Sequence, residues 1–140
     1  RNGLSMSVSM GSSAVANRIE LVGPVDSEDI ITWYDRADIF FLPSRFETCS
    51  MVTMEAMCRG RPVVAFRVGG LRELVDDGVT GYLAEAGAVH TAAGYLAALL
   101  EDPERRHRMG QAARTASEQF PDWTDVSNRL REFLRTSGRR

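Results

Sequence analysis

The sequence contains no lysine, and all 17 of its basic residues are arginine. We attribute this first to the codon preference of its source and only second to function. Its 19 acidic residues outnumber the arginines and give a formal net charge of -2. Proteins that bind nucleic acid through phosphate contacts carry a clustered excess of positive charge. The composition therefore predicts no nucleic-acid partner.

Cysteine and histidine are also scarce. Cys49 and Cys58 stand nine positions apart, which is neither a C-x-x-C motif nor a zinc-ligand spacing. The two histidines, His90 and His107, fall in the helical C-terminal part, where we expect neither to be catalytic. Two unpaired thiols are typical of a reducing compartment. The sequence thus predicts no zinc site and a cytoplasmic protein.

Long apolar runs are absent as well. No stretch approaches the ~18 consecutive apolar residues that a membrane span requires, and no signal peptide is recognisable. Five arginines between residues 129 and 140 form either a solvated face or a peripheral contact with anionic lipid on the inner side of the membrane. The sequence leaves both alternatives open.

Along the chain, segments whose apolar residues follow a strand pattern alternate with segments whose apolar residues follow a helix pattern. Short apolar runs predict strands at 18–22, 39–42, 62–66 and 81–84, and the run 39–42 is of the kind buried on both faces of a parallel sheet. Helical spacing, caps and breakers predict helices over 27–37, 51–59, 71–75, around 95–100, from 103, and from 122. Strands that alternate with helices indicate an α/β fold with a Rossmann-like parallel sheet.

Two glutamates in the middle of the chain, Glu47 and Glu55, are separated by seven residues. Glu55 falls in the otherwise nearly uncharged stretch 51–58, where a buried carboxylate is costly unless it is paired. Arg59 is the nearest partner in sequence. An exposed Glu47 and a Glu55–Arg59 pair at i,i+4 would be the ordinary structural explanation. The alternative is a ligand site.

The loop that carries Glu47 precedes a helix start. Ser50 can cap a helix that begins at Met51, but Thr53 stands where a capping box needs Glu or Gln. The backbone N–H groups of about 51–53 are then not all bonded within the protein, and those left over can bind an anion. A phosphate site beside two carboxylates predicts a ligand with both phosphate and hydroxyl groups, such as a nucleotide sugar.

The complete string resembles a known family. The segment A-D-I-F-F-L-P-S-x-x-E-x7-E-A-M-C-x-G-x-P-V-V-A, followed by V-G-G-L-x-E-L-V-x-D-G-V-T-G-Y-L, is similar to the nucleotide-sugar-binding half of the retaining GT-B glycosyltransferases of group 1. This family includes phosphatidylinositol mannosyltransferases and sucrose synthases. The resemblance covers about residues 18–136 and includes an aromatic residue and a tryptophan, Phe120 and Trp123, before the last helix.

The resemblance implies a role for each matching residue. Glu47 corresponds to the glutamate that contacts the hydroxyls of the donor sugar and takes part in catalysis, and Glu55 to the one that holds the ribose. The loop Cys49-Ser50-Met51, with Val52 after it, corresponds to backbone donors for sugar and phosphate, although Ser50 replaces a usual glycine. Val25 corresponds to the stretch that meets the base. We expect the Cys49 thiol itself to be buried and inert.

The resemblance also implies what is missing. The family's upstream glycine-rich loop, its Arg/Lys pair and the whole acceptor domain have no counterpart, and the chain begins at Arg1. We therefore expect residues 1–140 to be one partial C-terminal donor domain of a GT-B fold, with 121–140 as a crossover helix and basic tail. A UDP- or GDP-sugar, an unknown acceptor and no metal are implied. A GT-B nucleotide-sugar epimerase and a non-catalytic truncated module remain as alternatives. Gly69 and Gly70 let backbone approach the ligand or turn the chain.

Overall fold

The computed structural model describes residues 18–137, which divide after Ile30 into two compact units. The described residues form six α-helices and three β-strands. In chain order these are α1 (Ser27–Arg36), β1 (Phe40–Leu42), α2 (Met51–Cys58), β2 (Val63–Phe66), α3 (Leu71–Leu74), β3 (Gly81–Ala84), α4 (Val89–Glu101), α5 (Pro103–Ser117) and α6 (Trp123–Ser137). Eight of these elements lie where helical or strand patterns predicted them, and α4 extends beyond the predicted core of its helix.

The three strands form one parallel sheet in the order β1-β2-β3. Phe40 is paired with Val63, and Val63 in turn with Gly81, so the strands run in register from their first residues. Parallel neighbours need crossover connections, and α2 and α3 lie in the two connections. The predicted α/β fold with a parallel sheet flanked by helices is confirmed.

The sheet is covered on both faces, and β2 shows this most clearly because all four of its residues are buried. Val63 and Ala65 belong to one core cluster, in which α2 contributes Met57 and α5 contributes Ala113. The other two residues of β2, Val64 and Phe66, belong to the second cluster. This cluster also contains Ala92 and Leu99 of α4 and Met109 of α5. Successive residues of a strand point to opposite faces, so β2 joins the two layers.

The C-terminus of α2 is closed by Gly60. This residue has φ +68°, a left-handed conformation that glycine adopts without a Cβ penalty. The Gly60 N–H donates to the Met57 carbonyl at 2.8 Å, and the Arg61 N–H donates to the Ala56 carbonyl at 3.0 Å. These two bonds are the Schellman pattern, which ends the helix and turns the chain into β2.

The caps of the last two helices follow the predictions. The Asp102 carboxylate accepts from the Arg105 N–H at 2.9 Å at the start of α5, with Pro103 at the first helical position. At the start of α6 the Asp122 carboxylate accepts from the Asp125 N–H at 2.8 Å, and the Asp125 carboxylate accepts from the Asp122 N–H at 3.2 Å. The second pair is a reciprocal capping box built from two aspartates.

Two strand predictions are wrong. Residues 18–22 form no strand, because within the described part of the chain they have no neighbour that pairs with their backbone, and Leu21 is 69% exposed. β1 is not buried on both faces, since Phe41 is 40% exposed and only Phe40 and Leu42 pack against the core. In residues 18–137 β1 is an edge strand that pairs with β2 alone.

Candidate functional site

The loop 43–50 follows the carboxyl end of β1 and leads into α2. Ligands of open α/β sheets bind beyond this edge of the sheet. Glu47 lies half-buried in the loop. Its carbonyl oxygen accepts a hydrogen bond from the Gly70 N–H at 3.2 Å, so the next loop along the sheet holds this one from the side. The structure thus places Glu47 at the edge where the sequence predicted a ligand.

Ser50 stands at the N-cap position of α2, but its side chain makes no cap bond. The Ser50 hydroxyl instead lies 2.8 Å from the Thr53 hydroxyl, and both residues are fully buried. The prediction of a capping side chain at Ser50 is therefore wrong, because the buried hydroxyl of Thr53 is the better partner. Ser50 has φ -86°, so serine in place of glycine causes no backbone strain here.

Two of the three backbone N–H groups at positions 51–53 have an acceptor in the protein. The Met51 N–H donates to the Cys49 carbonyl at 3.2 Å, and the Thr53 N–H donates to the Ser50 carbonyl at 3.1 Å. Among the described residues, the Val52 N–H has no protein acceptor. Val52 is therefore the backbone donor that the first turn of α2 leaves for a ligand.

Glu55 is exposed on α2, whereas its helix neighbours Ala56 and Met57 are fully buried. The premise that its carboxylate is buried is wrong, because α2 has one face toward the core and another toward solvent. Its partner comes from α1, where the Tyr34 hydroxyl donates to Glu55 Oε2 at 2.9 Å. Tyr34 is only 6% exposed, so a buried aromatic residue presents one polar atom to an exposed carboxylate.

Arg59 does not pair with Glu55. It forms a two-pronged contact with Asp35, from Nε to Oδ1 at 2.7 Å and from Nη2 to Oδ2 at 2.5 Å. The guanidinium lowers the pKa of Asp35 through this hydrogen bond. The ordinary explanation of Glu55 as half of an i,i+4 pair is therefore wrong, and its carboxylate keeps unused acceptor positions.

Burial raises the pKa of the Tyr34 hydroxyl well above its usual value, and the hydrogen bond to Glu55 and the charge of Glu55 raise it further. Tyr34 therefore stays protonated, and remains a donor to Glu55, through the whole neutral range. The sequence analysis predicted the helix that carries Tyr34 but not this bond. Its only signal was a tyrosine, with a polar end, at a core-facing position.

The remaining predicted residues differ in their placement. Met51 is 59% exposed and Val52 40% exposed, so both border the open edge of the site. Cys49 is a free and exposed cysteine, which corrects the expectation of a buried thiol; the irregular backbone of the loop turns it outward. Val25 is half-buried and lies in the unit that ends at Ile30, so its predicted contact with the base stays a prediction.

Two kinds of feature are absent from the described residues 18–137. No helix there combines the length and apolar character needed to cross a membrane. In the same residues no three side chains of His, Cys, Asp or Glu come together as metal ligands would.

The chain is similar to known proteins over most of its length. A curated relative, the D-inositol 3-phosphate glycosyltransferase of Corynebacterium glutamicum (strain R), is 42% identical over 99 residues, which cover 71% of this chain and 24% of the relative. The sucrose-phosphate synthase of Thermosynechococcus elongatus has the same fold with a TM-score of 0.80 and 28% identity, over 88% of this chain and 31% of the other.

A second solved structure was determined with a ligand. HepE from Anabaena, in complex with UDP-glucose, matches with a TM-score of 0.71 and 29% identity, over 77% of this chain and 30% of HepE. The chain therefore spans less than a third of the length of these relatives. Its parallel sheet with flanking helices is that of the GT-B glycosyltransferases. The family model for glycosyl transferases group 1 matches residues 9–116, most of the chain, and the chain belongs to that family.

Proposed function

We propose that this chain binds the nucleotide-sugar donor of a glycosyltransferase that retains the configuration of the transferred sugar. The observation that carries the proposal is the Glu55 carboxylate, which is exposed on α2 one turn after the loop 43–50, while Tyr34 holds its Oε2 atom at 2.9 Å. An anchored carboxylate that faces solvent is suited to a ligand and contributes little to the core. The complex of HepE with UDP-glucose supports a UDP-sugar as the first donor to test.

The chemistry of Glu55 selects hydroxyl groups. An ionised carboxylate only accepts hydrogen bonds, and its two oxygens offer about four acceptor positions. One position is used by Tyr34, which leaves room for two donors from a ligand. The adjacent hydroxyls of a ribose provide two donors at the right separation, whereas a phosphate provides none. Glu55 is therefore assigned to the ribose of the donor.

The start of α2 is assigned to the diphosphate. The Val52 N–H points out of the first turn, and this turn contains no acidic residue that would repel an anion. The partial positive charge at a helix N-terminus attracts phosphate groups at this position. Fixed N–H donors also stabilise charge that develops on a leaving diphosphate. We propose that this field takes part of the role of a metal ion, and that transfer needs none.

Glu47 is assigned to the donor sugar and to catalysis. Its loop lies beside the start of α2, so a ligand whose diphosphate rests on that helix would extend its sugar toward the loop. The carboxylate of Glu47 would accept hydrogen bonds from sugar hydroxyls and orient the anomeric carbon for attack. The acceptor and the residues that bind it belong to the whole protein, of which this chain matches less than a third in length.

Calorimetric titration of the chain with UDP, GDP, UDP-glucose and GDP-mannose tests the donor site. A hydrogen bond to a charged group contributes about 1.5–3 kcal/mol, and Glu55 is exposed, so Glu55→Gln is expected to weaken nucleotide binding about tenfold, near the lower limit. Glu101→Gln is the matched control, since it removes one exposed carboxylate at the end of α4. Equal affinities of wild type and Glu55→Gln would contradict the ribose assignment.

A further inference from the structure

The loop between β2 and α3 approaches the Glu47 loop more closely than any side chain would permit. A Cβ built on Gly69 would overlap the Glu47 carbonyl oxygen and lie 2.9 Å from its carbon. A Cβ built on Gly70 would overlap the Thr48 carbonyl oxygen and lie 3.3 Å from its carbon. Real Cβ atoms essentially never come within 3.0 Å of another heavy atom, so neither position accepts a side chain without movement.

Backbone conformation does not explain the glycine at position 70. Gly70 has φ -66° and ψ -10°, which alanine adopts without strain. Gly69 differs, since its φ of +45° itself favours glycine. At Gly70 the close approach to Thr48 is therefore the reason for the missing side chain. The sequence left approach to a ligand and a turn of the chain as alternatives, and neither included this contact, in which the glycines pack against the loop that carries Glu47.

The neighbouring structure determines which segment would move. The obstructing atoms are carbonyl groups, so no side-chain rotation relieves an added methyl group. On one side β1 ends at Leu42, which is paired with Ala65 in the sheet. On the other side Ser50 is 1% exposed and bonded to Thr53. Between these ends, residues 43–49, which include Glu47, can shift. The opposing loop has less freedom, because the Arg67 N–H donates to the Ala84 carbonyl at 2.7 Å and Leu71 is fully buried.

Glu55 is independent of this loop. It lies on α2 and is held by Tyr34 of α1, whereas the atoms nearest to the Cβ positions of Gly69 and Gly70 belong to Glu47, Thr48 and Cys49. A displacement of the loop would therefore move the group assigned to the sugar and leave the group assigned to the ribose. We propose that Gly69 and Gly70 are positioning residues that set the place of Glu47 against the donor sugar, an inference that rests on the proposed function.

The test compares the affinity of the chain for UDP-glucose with its affinity for UDP. In wild type we expect glucose contacts of Glu47 to make UDP-glucose the tighter ligand, and a wild type that binds UDP-glucose no more tightly than UDP would overturn the inference. In Gly70→Ala we expect at least a tenfold loss of this advantage, with UDP affinity within twofold of wild type. Gly94→Ala is the matched control, because Gly94 lies in α4 with no described atom within 4 Å of its Cβ position. Its ratio should equal that of wild type.

The outcomes separate the two proposals. A wild-type chain that binds neither ligand overturns the proposed function. Suppose that wild type shows the expected preference. If Gly70→Ala then keeps the ratio of UDP-glucose to UDP affinity, or loses affinity equally for both ligands, only the positioning role is overturned. Should Gly70→Ala not fold, amide exchange of wild type decides. The Gly70 N–H, bonded to the Glu47 carbonyl, should exchange more slowly with UDP-glucose than with UDP, and equal rates would overturn the inference.

Discussion

Replacement of Tyr34 by phenylalanine is the sharpest probe of the Glu55 site. The change removes one hydroxyl, whose oxygen lies 2.9 Å from Glu55 Oε2, and keeps the buried ring, which packs edge-on against Phe40 with a centroid separation of 6.0 Å. No cavity and no buried unpaired group result, because Glu55 is exposed and water can reach its carboxylate. The variant thus isolates the contribution of the hydrogen bond.

The expected magnitude follows from this exposure. A hydrogen bond to a charged group contributes about 1.5–3 kcal/mol when it is shielded, and a typical net value is about 1 kcal/mol. Since water replaces part of the bond, we expect Tyr34→Phe to lower the free energy of unfolding by about 1 kcal/mol, or Tm by about 3 °C. If the bond also orients Glu55 toward the ribose, UDP affinity should fall about fivefold.

Circular dichroism melts and calorimetry with UDP measure both effects. Tyr95→Phe is the matched control, because Tyr95 stacks on Tyr82 at 4.6 Å in the second core cluster, away from Glu55. The pKa of Tyr34 is raised in the folded state, so its stabilisation is complete below the unfolded value of about 10 and is lost as the pH rises above it. Unchanged Tm and UDP affinity in Tyr34→Phe would refute the reasoning.

Two further predictions concern the whole chain. We expect the 140 residues to bind nucleotide sugar without transferring it, because they span less than a third of the length of the relatives named above and the positioning of a second substrate contributes about 7–11 kcal/mol to lowering the barrier. Transfer of radiolabelled sugar by the wild-type chain above that by Glu47→Ala, measured with and without EDTA, would contradict this prediction. We also expect faster amide exchange in residues 124–136 than in 39–42, since Leu130 and Phe133 of α6 are 56% and 63% exposed. Equal protection would contradict an unsupported helix.

The sequence predicted the order and type of the elements because the signals for them are local. Caps such as Asp102 and Asp122, and the glycine that ends α2, act within a few residues of the helix terminus. Strands are predicted less well, because a strand forms only where a neighbouring strand pairs with it. Residues 18–22 have the composition of a strand, but in the described part of the chain no neighbour pairs with them.

The environment of the site residues could not be predicted in the same way. The apolar neighbours of Glu55 in sequence predict a buried carboxylate, yet burial depends on which face of α2 meets the sheet. Its partner Tyr34 is 21 positions away, and Arg59 at i,i+4 is drawn instead to Asp35 on α1. These side-chain partners depend on how one helix packs beside another, and the periodicity of the sequence does not predict that packing.

The two glutamates differ in how the fold supports them, and this difference has a functional meaning. Glu55 lies on a hydrogen-bonded helix and is anchored by a side chain, Tyr34. Glu47 lies on irregular backbone, and its described support is a backbone bond from Gly70 and close packing against two glycines. Regions with fewer buried contacts open at lower free energy. If Glu55 binds the ribose and Glu47 the sugar, as proposed, the nucleotide end of the site is built on the rigid part of the domain and the sugar end on the part that substitutions can shift. On this division, changes in the glycine loop would alter which sugar is accepted before they alter nucleotide binding.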